Sequence, residues 1–265
     1  MKRIFFVLSI AISACAFSSC FTNPITGRKT VNAVSEDEMR TMASAEYKKF
    51  LAANPPVNGT PESEMVKKVG NKLATATQQY LTSIGKANLI QGYQWEFNLV
   101  NSKEVNAWCM PGGKVVVYSG ILPQTQDETG LAVVLGHEIA HAVARHSNER
   151  FTDQYITQFG TQVLSSVVKT NSDAVNNIFD YAVGISGTGL LLKFSRNQES
   201  EADEMGLYLM AMAGYNPEQA IPFWQRMGSQ GAKVWELASS HPSDETRIKN
   251  IQKFLPKAKQ YYKPQ

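Results

Sequence analysis

The chain has 265 residues, 43% of them hydrophobic, enough to bury one substantial core; this excludes intrinsic disorder and makes one domain the default. Its formal charge of +3 falls to roughly +1 once Lys2 and Arg3 are assigned to a removed leader, which excludes strong electrostatic steering. No basic cluster with interleaved aromatics argues for nucleic acid, and Cys15, Cys20 and Cys109 form no disulfide framework because two of them fall at the leader.

Residues 1–19 combine a basic start, an apolar run from Ile4 to about Ile12 and small residues before a cysteine, the pattern of a secretory signal peptide. Ser9, Ser13, Ser18 and Ser19 interrupt a stretch already short for a membrane span. Both Ile12-Ser13-Ala14-Cys15 and Phe17-Ser18-Ser19-Cys20 resemble a bacterial lipobox. Cys20 is the expected lipidation site, because cleavage before Cys15 leaves a very short apolar region; an ordinary cleaved signal without lipid is the alternative. Residues 20–34 are polar and turn-rich and read as a lipidated tether, which leaves 35–265 as the domain proper.

Ser35-Glu36-Asp37-Glu38 is a capping box opening a helix to about Ala53, stopped by Asn54-Pro55-Pro56. Thr60 and Pro61 start a second helix, with Met65, Val66, Val69, Leu73, Ala76 and Tyr80 at helical spacing. The pattern then switches to period two: Tyr93, Trp95, Phe97 and Leu99 alternate with polar residues, so 93–100 is a half-buried strand. Val105 to Cys109, a turn at Pro111-Gly112-Gly113, and Lys114 to Tyr118 read as a hairpin. If its last strand is an edge, it offers unpaired backbone groups to an extended peptide; plain sheet structure is the alternative, and spacing alone does not decide.

Gly136-His137-Glu138-Ile139-Ala140-His141 places H-E-x-x-H in an apolar run, and Thr125-Gln126-Asp127-Glu128 reads as the capping box before it. With about 3.6 residues per turn, His137 and His141 stack on one face and can aim two imidazole nitrogens at one zinc ion. Glu138 lies about 100° round the helix, where a general base can reach water activated by the metal without displacing it. Two core histidines bonded to carbonyls and a Glu paired with an Arg form the bland alternative. An apolar helix is the costliest place to leave three such side chains unpaired, which favours the metal.

Asn148 to Thr170 looks helical and amphipathic, while 171–189 carries Gly184, Gly187 and Gly189 and is too interrupted to span a membrane. A glycine-rich cover over a cleft and a buried turn are both open readings of it. Ser195-Arg196-Asn197-Gln198 is another capping box; the helix it opens bears Glu199, Glu201, Asp203 and Glu204 and ends at Gly214 and Pro217. A solvated acidic face is one reading, yet Met205, Leu207, Leu209, Met210 and Met212 turn part of that helix inward. Asn216-Pro217 opens a helix through Phe223 and Trp224, and His241-Pro242-Ser243 opens the last, with Arg247 on it.

A zinc hydrolase normally needs a third protein ligand and an open position. The segment from Ser195 to Asp203 resembles the S-R-x-x-E-x-x-A-D signature of the HtpX, LoiP and BepA type of zinc metallopeptidase, a gluzincin group. Asn23-Pro24-Ile25-Thr26-Gly27-Arg28 is similar to the mature start of its lipoprotein members, Asn106-Ala107-Trp108 with Pro111-Gly112-Gly113 to its substrate strand, and His241-Pro242 with Arg247 to its H-P-x-x-x-x-R. The likeness covers about residues 20 to 255 and is expected to be to the short members of the group, those without an added helical-repeat module. Thr129-Gly130 departs from the more usual Glu-Leu and is expected to soften the start of the active-site helix.

The resemblance implies a mostly helical α+β, zincin-like fold with a small sheet beside the H-E-x-x-H helix. It implies one zinc per chain on His137, His141 and Glu199, with Asp203 as an outer support. Glu199 and Glu201 lie about 200° apart on a helix, so Glu201 should point away from the metal and tolerate substitution. Glu138 is the expected base; His241 is expected to donate to the oxyanion or to block the metal in a resting enzyme, an exposed cap residue being the alternative. The substrate strand should run along Lys114 to Tyr118, including Val116 and Val117, with Asn106 and Ala107 also holding its backbone.

The expected activity is endoproteolysis of unfolded or misassembled envelope proteins in quality control. The expected place is the periplasmic face of the bacterial cell envelope, on a lipid anchor; Phe21 instead of a retention Asp points to the outer membrane. Two competing classes are a non-catalytic, chaperone-like assembly factor of the same fold, and a structural lipoprotein with a closed four-ligand zinc site that includes His241.

Overall fold

The computed structural model describes residues 20–159, 173–183, 194–229 and 245–263. The leader at 1–19, the glycines from Gly184 to Gly189 and His241 lie outside these residues. In chain order the elements are β1 (Cys20–Thr22), β2 (Lys29–Val31), α1 (Glu36–Ala53), β3 (Pro56–Val57), α2 (Pro61–Ser83), β4 (Glu96–Val100), β5 (Ala107–Met110) and β6 (Lys114–Tyr118). There follow a one-turn α3 (Leu122–Thr125), α4 (Glu128–Val143), α5 (His146–Phe159), α6 (Asp173–Val183), α7 (Arg196–Met212), α8 (Ala220–Ser229) and α9 (Glu245–Tyr261). The architecture is the mostly helical α+β arrangement expected, and no described helix is long and apolar enough to cross a membrane.

The caps read from sequence at Ser35, Thr60 and Ser195 are all formed, each side chain accepting from the backbone N–H three residues on. At α4 the cap is displaced: Asp127, not Thr125, accepts from the Gly130 N–H, at 2.8 Å. Thr125 instead ends α3, so the chain turns sharply between two helices, and Gln126 takes a left-handed φ of 67° to do it. A methyl group on residue 130 would sit 1.9 Å from the Thr125 carbonyl oxygen. Gly130 is therefore what lets α3 and α4 abut, rather than a weakness in the helix start.

The main sheet runs β3-β4-β6-β5, with β4 and β6 parallel and the other two pairs antiparallel. Its two faces feed different apolar clusters. Phe97, Leu99, Val115 and Val117 pack toward α2, α4, α7 and α8, whereas Val100, Trp108, Met110 and Val116 pack with Met39, Tyr47, Phe151 and Phe179 of α1, α5 and α6. A strand covered on both faces reads as an unbroken apolar run, which is why Val115, Val116 and Val117 are all fully buried. β6 is thus an interior strand, and the expected substrate edge at Lys114 to Tyr118 is corrected: among the described strands β5 is the outer one on that side.

Residues 20–34 are the second departure. Read as a tether, they form a hairpin, β1 on β2 with Phe21 opposite Thr30, and lie against the domain. Phe21 is buried beneath the Arg145 guanidinium, which sits 4.8 Å from its ring centre. The Ala33 N–H donates to Thr152 Oγ1 at 2.8 Å, and Asn148 Nδ2 donates to the Val34 carbonyl at 2.8 Å.

Candidate metal centre

α4 is buried along its length from Gly130 to Val143, so its polar side chains must find partners inside the protein. It crosses α7 at close range because both helices carry glycine at the crossing. A methyl group on Gly206 would come within 2.9 Å of the His137 backbone nitrogen, and one on Gly136 within 3.0 Å of the Gly206 carbonyl oxygen. That approach brings Glu199 of α7 to the two histidines of α4. His137 Nε2 and His141 Nε2 lie 2.9 Å apart; Glu199 Oε2 is 3.6 Å from the first and Oε1 3.3 Å from the second. One ligand atom from each of the three residues falls within 4.8 Å of the other two, and all three are buried.

This donor set fits zinc. Burial, reinforced by the neighbouring His137 and His146, holds the His141 imidazolium well below the usual histidine range despite the opposing Glu199. A neutral His141 keeps a lone pair for a metal. Two imidazole nitrogens and a carboxylate converging in a buried pocket are costly unless a cation lies among them, and N, N and O ligands with an open fourth position are what catalytic zinc takes.

Each histidine is also held from behind, where its outer nitrogen finds a partner that sets the tautomer. His137 Nδ1 lies 2.9 Å from Asp203 Oδ1, one turn after Glu199 on α7, as expected. Arg247 of α9 donates to Asp203 Oδ1 at 2.5 Å and lies 3.1 Å from Glu199 Oε2, its guanidinium stacked 3.4 Å from the centre of the Trp224 ring. His141 Nδ1 lies 2.8 Å from His146 Nδ1, and His146 Nε2 lies 3.0 Å from Glu201 Oε2. Phe194 covers this pair of rings, 4.0 Å from His141.

Glu201 points away from the metal as its helical position requires, but it is not an idle surface acid. Burial pushes its pKa up, yet hydrogen bonds from His146, Arg28 and Thr26 outweigh that and hold it down at about 2. The expectation that Glu201 tolerates substitution is therefore corrected. His146, Arg28, Trp224 and Phe194 had no place in the sequence-derived site, and Arg247 had one only through a motif. No helical spacing could have found His146: α4 ends at Val143, Arg145 turns the chain with a left-handed φ of 58°, and His146 opens the next helix.

Glu138 is buried beside the metal face and close to β5: burial raises the Cys109 thiol, and the Glu138 charge raises it further. Asn106 and Ala107 lead into β5; the Asn106 carbonyl accepts from the Tyr118 N–H at 3.0 Å, and Asn106 Oδ1 accepts from the Ala107 N–H at 2.9 Å. Val116 and Val117 sit between β4 and β5, opposite Trp108 and Ala107 on one side and Asn98 and Leu99 on the other, so their backbones are not open to a peptide.

Residues 67–255 match Peptidase family M48. The mitochondrial metalloendopeptidase OMA1 of Schizosaccharomyces pombe is 34% identical over 245 residues, 89% of this chain and 66% of its own length. Metalloprotease YcaL of Escherichia coli is 28% identical over 262 residues, 95% and 97% of the two lengths. The beta-barrel assembly-enhancing protease of Yersinia pestis is 26% identical over 237 residues, 85% and 45%. The chain spans 66% or less of the OMA1 proteins it matches. Those OMA1 relatives are mitochondrial, and this overturns the expectation of an outer-membrane lipoprotein of the bacterial envelope.

Proposed function

The chain belongs to peptidase family M48, and from that premise we propose that it is a zinc-dependent endopeptidase acting on misfolded or unassembled proteins. The observation that carries the reading is the convergence of His137, His141 and Glu199 on one buried point with Glu138 retained beside it. Bound zinc supplies Lewis acidity toward water and toward the scissile carbonyl. Glu138 takes the proton of the attacking water and later delivers it to the leaving amine. Asp203 and His146 keep the outer nitrogens of the two histidines occupied, so that both Nε2 lone pairs stay on the metal side.

The substrate enters as an extended strand against β5, the outer strand beside α4, instead of β6. Main-chain pairing there gives little sequence preference, which suits unfolded substrates. The competing reading, an assembly factor without catalysis, has no physical need for a buried base next to a complete ligand set. A closed structural zinc site requires a fourth protein ligand, and the candidate for it, His241, lies outside the described residues. The test is proteolysis of an unfolded protein by the wild type and by Glu138→Gln, each with and without a chelator. Cleavage by the wild type alone, abolished by the chelator, is expected; equal cleavage by the variant sinks the mechanism.

A further inference from the structure

The loop between β1 and β2 is rigidly built. Asn23 is buried, and its Oδ1 accepts from the N–H groups of Ile25 and Thr26 at 2.9 and 3.2 Å. Its backbone pairs with Gly27 and Arg28, the turn closing through Gly27 at a φ of 71°. This loop presents Thr26 and Arg28 to α7. Thr26 Oγ1 donates to Glu201 Oε1 at 2.6 Å, and Arg28 donates through Nε to Oε1 at 2.8 Å and through Nη2 to Oε2 at 2.9 Å. The same guanidinium reaches Glu149 of α5, at 2.5 Å from Nη1 and 2.8 Å from Nη2. One cation thus binds two carboxylates on two helices, with Gln198 donating to Glu149 at 2.8 Å to complete the cluster.

Glu201 is also the end of the line that starts at the metal. With His141 Nε2 directed at the metal, its proton sits on Nδ1 and is donated to His146 Nδ1; His146 must then carry its own proton on Nε2 and donate it to Glu201. Only this order of tautomers leaves the His141 lone pair facing the metal. The opposite tautomer of His146 sets two N–H groups against each other across 2.8 Å, and relieving that clash moves the His141 proton to the nitrogen the metal needs.

We propose that Arg28, Glu201 and His146 are positioning residues for His141, and that docking of the hairpin at residues 20–34 is thereby coupled to zinc binding. Without the cation, the half-buried Glu149 and the buried Glu201 are left without their shared counter-charge, and Glu201 no longer holds the His146 proton in place. The coupling is reciprocal: whatever factor the docked hairpin adds to zinc affinity, zinc adds to the docking of the hairpin. The inference rests on the metal-site reading above.

The experiment uses the full chain in three forms: wild type, Arg28→Ala and the conservative Arg28→Lys. Zinc affinity is measured by competition with a chromophoric chelator, and hydrogen exchange of residues 20–34 is followed with and without zinc. Arg28→Ala should weaken zinc binding about tenfold, with Arg28→Lys between it and the wild type because it keeps the charge and loses the fork. Chelation should speed exchange in residues 20–34 of the wild type, and most of that response should vanish in Arg28→Ala. If Arg28→Ala does not fold, Thr26→Val removes one donor to Glu201 at nearly constant volume and should still weaken zinc binding measurably. Zinc affinity unchanged in the folded variants, or a hairpin whose exchange ignores zinc, overturns the coupling while leaving the metal site standing. A wild type that binds no zinc overturns both.

Discussion

The two histidines of the centre are supported from opposite ends of the chain and by different chemistry. Behind His137 stands a carboxylate in direct contact, Asp203, backed by Arg247 from the last helix and by the Trp224 ring. Behind His141 stands a neutral imidazole, His146, which passes the contact to Glu201 and then to Arg28 of the first hairpin. A carboxylate touching the ligand raises its basicity directly, whereas an imidazole relay transmits mainly orientation. The difference implies that His137 is the firmer ligand, and that the His141 side is where folding of the rest of the chain makes itself felt at the metal.

The largest effect should come from the residue belonging to neither side. Glu138→Gln should lower peptide cleavage by roughly 10²- to 10⁴-fold while metal analysis finds the zinc still bound; a variant that lost its zinc would mean Glu138 helps hold the site together. Glu199→Gln, which touches both sides, should weaken zinc binding by more than the roughly 100-fold ceiling expected of an outer support, so that dialysed protein comes out metal-free. Asp203→Asn and Glu201→Gln set the two sides against each other. Zinc competition should show a loss of about 10- to 100-fold for the first and about tenfold for the second, and the reverse order would break the comparison. Gly206→Ala forces α4 and α7 apart at His137 and should cost about 1–3 kcal/mol of stability, read from a lowered denaturant midpoint at unchanged slope. Asp127→Ala, at the capped end of α4, should cost about 1 kcal/mol in the same denaturant titration, with zinc affinity left alone.

Much of the site was legible because its parts repeat along single helices. His137, Glu138 and His141 share one helix, so spacing of one and four residues was enough to propose two ligands and a base, whereas Glu199 and Asp203, which share another, entered through the resemblance of the Ser195 to Asp203 segment. Glu201 shows the limit of that reasoning. Its position about 200° from Glu199 correctly took it off the metal, but the same angle carried no information about what it would meet there. The hairpin's polar, turn-rich composition likewise described its bends, not the buried Phe21 and Arg28 that dock it. The strand at Lys114 to Tyr118 was read with the right ends and the right hairpin partner but as an edge, with β4 missed on its other side, since an apolar run fits an interior strand and an edge under cover equally well.

What the amino-acid order determined by itself is whatever a single element decides through its own period and its own caps: the boxes at Ser35 and Ser195, the helix start at Thr60, the two stacked histidines, and the opposed directions of Glu199 and Glu201, the choice between those two resting on the family resemblance. What only the tertiary structure decided is which elements meet: β6 inside the sheet, Asp127 as the cap where α3 abuts α4, and Arg28 on Glu201 across 173 positions of chain. The physical reason is that helix spacing and capping act over a few residues and leave a local mark, whereas a contact between distant segments is selected by the packing of the whole core, which no local pattern encodes.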